Sequence, residues 1–154
     1  AGLTTFIDMG SGAVNALQDR LISLTQDFDY LLMNQKELLT LTGATSISEA
    51  VNGLAHEGIK RVIVKVGEKG SLVITPEVTE LIEAYEIDGV VDSTGAGDYY
   101  TAAFAHGIME GYDLREAARL GNIAGALNTV QVGAQKSDLS VEILEHYAKE
   151  LTTA

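Results

Sequence analysis

Apolar residues along this chain fall first into short blocks and later into long helical stripes. Leu3-Thr-Thr-Phe-Ile7 reads as a β-like run, and Gly10 to Gly12 turn it into a helical pattern from Ala13 to about Leu24. That pattern places Val14, Leu17, Leu21 and Leu24 on one face. Tyr30-Leu-Leu-Met33 fits a short buried strand, and Asn34 to Leu41 fits a short helix closed by Gly43. Ser46 caps a helix through His56, with Glu49 three residues on as a capping box and Gly58 after its end. Arg61-Val-Ile-Val-Lys-Val66 is the clearest strand. Gly67 to Gly70 turn it into Ser71–Thr75 as a hairpin, and a further strand pattern covers Thr79 to Glu86. Beyond Asp92 the period becomes helical. One helix is expected from about Ala96 to Met109, ending at Gly111, a second from after Asp113 to about Thr129, and a third over Ser140 to Leu151. Strands alternating with helices, then a helical tail, predict an α/β fold with a mostly parallel sheet flanked by helices. Sheets of that kind bind ligands at the carboxyl ends of their strands.

Composition narrows the partners. A chain of 154 residues, 46% hydrophobic and 21% charged, suits one globular domain, taken here as 1–154. No apolar run is long enough to cross a bilayer, no signal-peptide pattern stands at Ala1, and there are no repeats. The absence of cysteine excludes disulfide frameworks and thiolate metal sites and suits a reducing cytoplasm. A net charge of −12 repels nucleic acid and anionic membranes, so a phosphorylated ligand would need local donors. His56, His106 and His146 are far apart and have no ligand-like spacing.

Local donors are what Thr94-Gly95-Ala96-Gly97-Asp98 offers. A helix entered through small residues leaves backbone N–H groups at its positive pole, which makes an anion hole without Lys or Arg. Asp98 in the first turn has two roles open to it. It can stabilise the helix electrostatically, or act as a general base beside the hole.

The run Asp92-Ser93-Thr94-Gly95-Ala96-Gly97-Asp98-Tyr99-Tyr100-Thr101-Ala102-Ala103-Phe104 resembles the C-terminal signature of the PfkB, or ribokinase-like, carbohydrate kinase family. Asn34-Gln-Lys-Glu37 is similar to the family's Asn-x-x-Glu element, and Lys65-Val-Gly67-Glu-Lys-Gly70 to its nucleotide-bordering strand and turn. Asn122-Ile-Ala-Gly-Ala-Leu through Val132-Gly133-Ala134-Gln135 looks like the helix and loop on the adenine side, so the resemblance covers essentially the whole chain. It implies ATP-dependent phosphoryl transfer to a hydroxyl of a sugar or related small molecule. Asp98 would be the base, and Gly95, Ala96 and Gly97 the anion-hole amides. Asn34, Lys65, Gly67, Gly70 and Asn122 would border the nucleotide. Glu37 would belong to the Mg²⁺ shell. Asp92 and Thr94 would form one side of a monovalent cation (K⁺) site, with the Thr129–Gly133 loop and Ser137 on the other.

Length departs from the pattern, because complete relatives are about twice as long and carry sugar-binding residues and a lid in an N-terminal half. The chain therefore resembles the C-terminal half. An exposed sheet edge and apolar patch are expected, with association either with that other half or as a homodimer. Tyr100 stands for the usual Phe, Ala103 for a common Gly, and Asp8-Met-Gly-Ser-Gly12 for an Asp-Pro-Asn-x-Arg element. Two other readings compete. Gly10-Ser-Gly12 is faintly like a dinucleotide fingerprint but lacks the third glycine and a correctly placed acidic residue. A non-catalytic nucleotide- or anion-binding fragment would keep the hole and lack the substrate half.

Overall fold

The computed structural model describes residues 2–15, 27–56, 61–135 and 139–153. They form two compact units, one from the described part of Ala1–Gly67 with Leu72–Leu81, the other from Glu68–Ser71 with Ile82 onward.

The sheet belongs mainly to the first unit. Strands β1 (Phe6–Asp8), β2 (Tyr30–Asn34), β3 (Val62–Lys65), β4 (Ser71–Ile74) and β5 (Thr79–Ile82) lie side by side in chain order. β1 and β2 pair in parallel with Asp8 opposite Leu32, and β2 and β3 pair in parallel with Asn34 opposite Lys65. The connections on to β4 and β5 are far too short for a crossover, so these strands join as hairpins. Thr75 N–H donates to Val78 O at 2.8 Å in the second turn. The expected α/β architecture is therefore present, parallel across β1–β3 and mixed beyond them.

Leu31, Leu32 and Met33 are all buried in sequence, as befits a strand covered on both faces. Helices α1 (Gln35–Thr42) and α2 (Ile47–His56) supply Leu38, Leu41, Ala50 and Leu54 to the core around Leu31, Met33, Val62 and Val64. Asn34 starts α1 with a reciprocal cap: its Oδ1 accepts the Glu37 N–H at 2.9 Å, and Glu37 Oε2 accepts the Asn34 N–H at 2.8 Å. Gly43 ends it at φ 67°. At α2, Ser46 Oγ accepts the Glu49 N–H at 3.2 Å, but the Glu49 carboxylate reaches past Ser46 to the Thr45 N–H and Oγ1 at 2.8 and 3.0 Å. Those bonds hold the Glu49 carboxyl below its ordinary range, the Thr45 N–H first. Residues 11–15 are helical with Val14 buried. Leu17, Leu21, Leu24 and Gly58 lie outside the described residues.

The second unit is helical: α3 (Ala96–Met109), α4 (Leu114–Thr129) and α5 (Val141–Thr153). Asp113 caps α4 in a capping box with Glu116. Ala103, Leu120, Ile123, Ala124 and Leu144 form its core, joined by Tyr85 and Tyr147 in edge-to-face contact at 5.6 Å. β5 ends at Ile82 rather than Glu86, because its hairpin partner β4 has only four residues to pair. Tyr85 packs into the helical core instead. Among the described residues no helix is long and apolar enough to cross a membrane. β1 and β5 are the outermost strands, and Leu3, Val78 and Leu81 beside or within them are exposed, as an apolar sheet margin requires.

Candidate functional site

In the first unit the parallel strands end on polar residues: Asp8 closes β1, Asn34 closes β2 and Lys65 closes β3. Lys65 Nζ spans to Asp8 and contacts both carboxylate oxygens at 2.9 and 2.8 Å. Both side chains are partly solvated, which makes the pair a positional constraint more than a source of stability. Glu37 is buried at 6% exposure, so it is not the solvated helix residue that spacing alone allows. Burial of a carboxylate requires donors, and it has them: Ser11 Oγ donates to Oε1 at 2.9 Å, the Asn34 N–H to Oε2. Gly67 opens a 3₁₀ turn over Gly67–Lys69 at φ 65°.

In the second unit the turn Asp92–Gly95 delivers the chain into α3. Asp92 Oδ1 accepts the Thr94 N–H at 2.9 Å and Oδ2 accepts the Gly133 N–H at 2.8 Å. Thr129 O, at the end of α4, accepts both the Val91 and Asp92 N–H groups at 2.9 and 3.1 Å. Asn128 Nδ2 donates to Thr94 O at 2.8 Å. Gly95 is the N-cap of α3 at φ 83°, without a side-chain cap. A Cβ there would stand 2.9 Å from Ala134 O and 3.0 Å from Ala134 Cα, so glycine is demanded twice, by conformation and by space.

Not all three small residues offer an amide equally. The Ala96 N–H already donates to Ser93 O at 3.1 Å, while Asp98 and Tyr99 N–H both donate to Gly95 O. The Gly97 N–H has no acceptor among the described residues. Asp98 is exposed in the first turn, next to that amide.

Two further predicted residues have structural bonds. Asn122 is buried and its Nδ2 donates to Ile82 O and Glu83 O at 2.9 Å each, tying α4 to the end of β5. Gly70, at φ 100°, lies so close to the same segment that a Cβ would fall 2.1 Å from Ile82 O. Ser137 lies outside the described residues. Sequence reasoning missed Asp8, Ser11 and Asn128 as partners. Asn128 alone left a signal: it sits four residues after buried Ala124, on the core phase of α4, where an apolar residue is expected.

Tyr100, where the resemblance expects Phe, turns its hydroxyl onto Ser71 Oγ at 2.8 Å in a fully buried contact. Burial pushes its phenol well above the ordinary range, only partly offset by the Ser71 bond. The native state therefore holds the neutral form. Its contribution to stability is full below about pH 10, where the unfolded phenol titrates, and is lost as pH rises beyond that. Tyr100→Phe should cost about 1 kcal/mol at neutral pH and flatten the decline in urea midpoint between pH 9 and 11. Parallel declines in both proteins would refute this assignment.

The profile described as pfkB family carbohydrate kinase matches residues 8–141. A ribokinase of Arabidopsis thaliana is 36% identical over 143 residues, covering 87% of this chain and 36% of the relative. The crystal structure of adenosine kinase from Sinorhizobium meliloti superposes with TM-score 0.84 at 28% identity, covering 96% of this chain and 45% of that one. The structure of fructokinase from Vibrio cholerae O395, in its fructose, ADP and calcium ion bound form, gives TM-score 0.78 at 28% identity, covering 87% and 45%. The chain thus spans less than half the length of these relatives.

Proposed function

The chain belongs to the pfkB family of carbohydrate kinases, and on that footing we propose that it serves ATP-dependent phosphoryl transfer to a hydroxyl of a sugar-like or nucleoside-like small molecule. The observation that carries the proposal is the start of α3, where exposed Asp98 stands beside the unengaged Gly97 amide on a turn fixed by Asp92, Thr129 and Asn128. Asp98 takes the proton from the attacking hydroxyl. Gly97 and Gly95, with the positive pole of α3, stabilise charge on the transferring group. Ala96 contributes through its small side chain, since its amide closes the turn.

Asn34, Lys65, Gly67, Gly70 and Asn122 keep their proposed place along the nucleotide; Asn34, Lys65, Gly70 and Asn122 also carry the fold contacts described above, and Gly67 opens the turn. Glu37 is the proposed protein contribution to the Mg²⁺ shell. Its carboxylate is pre-oriented by Ser11 and Asn34. That donor set fits an ion that arrives on nucleotide phosphates and keeps most of its waters. Mg²⁺ bound in this way would neutralise phosphate charge. Asp92 and Thr94 offer only oxygen donors, a set that fits a hard monovalent cation such as K⁺.

A second reading is nucleotide or anion binding without turnover, in which the turn into α3 still receives an anion and no acceptor hydroxyl is presented to Asp98. Calorimetric titration with ATP·Mg²⁺, paired with a coupled assay on ribose, fructose and adenosine, separates the two. Micromolar to millimolar binding with acceptor-dependent ADP release supports the kinase. Binding without release, whatever length of chain is assayed, supports the second reading, and no binding at all refutes both.

A further inference from the structure

The geometry points to Asn128 as the residue that aims the anion-binding turn, a positioning role resting on the phosphoryl-transfer reading above. Asn128 occupies the last turn of α4 at 1% exposure, among residues that are otherwise small or apolar. An amide at so buried a position has to be justified by its bonds. One end is well placed: Nδ2 donates to Thr94 O at 2.8 Å. The other is not, because Oδ1 is buried without any partner among the described residues. Turning the amide over would set its oxygen against the Thr94 oxygen, acceptor to acceptor, so the orientation is chemically determined.

What the bond controls follows from peptide geometry. Thr94 and Gly95 share a planar trans peptide, in which C=O and N–H point in opposite directions. Holding the Thr94 carbonyl toward Asn128 therefore directs the Gly95 N–H the other way, away from α4. Other ties from this end of α4 and its loop reach earlier in the turn: Thr129 O grips the Val91 and Asp92 amides, and the Gly133 N–H grips the Asp92 carboxylate. Asn128 supplies a bond at Thr94, the residue just before the helix cap. A side chain kept with half its hydrogen-bonding capacity buried and unmet is poorly suited to stability alone and well suited to fixing one peptide plane.

The test uses the intact protein and exploits that imbalance. Asn128→Leu removes the donor and the unmet acceptor together while keeping the branching of the side chain. Its Tm should stay level or rise, while kcat falls about ten- to a hundredfold with KM changed less than about threefold, the scale expected for a misaimed group. Amide exchange at Gly95 and Gly97 should accelerate, a readout that needs no activity. Asn128→Asp keeps the shape and loses the donor. Burial raises the pKa of that carboxyl, so lowering the pH restores an O–H for Thr94, and the ratio of its kcat to wild type should climb as pH falls. Unchanged kcat and exchange in Asn128→Leu, a joint fall of Tm and kcat, or a pH-independent ratio for Asn128→Asp would each overturn the role. Wild-type protein that transfers no phosphoryl group would instead overturn the reading beneath it.

Discussion

Replacing Asp98 by asparagine should lower the kcat of the proposed phosphoryl transfer about a thousandfold in the intact protein while leaving KM for ATP and acceptor within about threefold, the range for loss of a general base. The side chain is exposed in the first turn of α3, so the isosteric amide fits without repacking. Asparagine keeps the shape and removes the proton-accepting capacity. The deficit should shrink for an acceptor whose hydroxyl is more acidic, because such a nucleophile needs less help in losing its proton. A helix-stabilising role alone would give a slightly lower Tm, equal kcat, and no dependence on acceptor acidity. Near wild-type kcat in Asp98→Asn would remove the base from the reaction.

The second large effect concerns the fold. Gly70→Ala should destabilise the chain by on the order of 4 kcal/mol, combining an unfavourable backbone conformation with overpacking against atoms that have no rotamer to escape into. The three nearest atoms to the added methyl are Ile82 O at 2.1 Å, Ala84 N at 2.5 Å and Glu83 C at 2.7 Å, all backbone. Ile82 O also accepts from Asn122, so displacement would strain a buried amide on α4 as well. Urea unfolding measures the loss directly, and a change below about 1 kcal/mol would show that the segment yields. ATP affinity, corrected for the folded fraction, then separates the packing role of Gly70 from its proposed place along the nucleotide.

The helices were largely legible in the sequence. α3 and α4 start and stop where the pattern places them because their ends are written locally, in Gly95 and Gly111 for one and Asp113 for the other. The Asp92–Asp98 segment was legible for the same reason. Pairing was less so: the β pattern continues to Glu86, yet a strand needs a partner, and β4 is only four residues long. Asn34-x-x-Glu37 shows how one spacing serves two accounts. It resembles a family element, and it is also a capping box of the kind recognised at Ser46 and Glu49. Burial of Glu37 could not be foreseen from that spacing, since its second donor comes from Ser11, 26 residues away. The consumption of the Asn122 and Ala96 donors was hidden likewise, because all their acceptors are backbone carbonyls without a sequence signature.

Two opposite poles meet at one turn. α4 ends at Thr129, whose carbonyl faces Val91 and Asp92, and α3 begins at Gly95, three residues further along the chain. Helix termini carry about half a charge each, negative at the first and positive at the second. Across the length of a few peptide units the potential therefore changes sign, and the local field is steep and oriented. An anion approaching Gly97 gains while one approaching Thr129 is repelled, so the two sides of the turn favour charges of opposite sign. A nitrile probe near Gly97 would register that field as a Stark shift, which Asp92→Asn should reduce by releasing the carboxylate from the negative side.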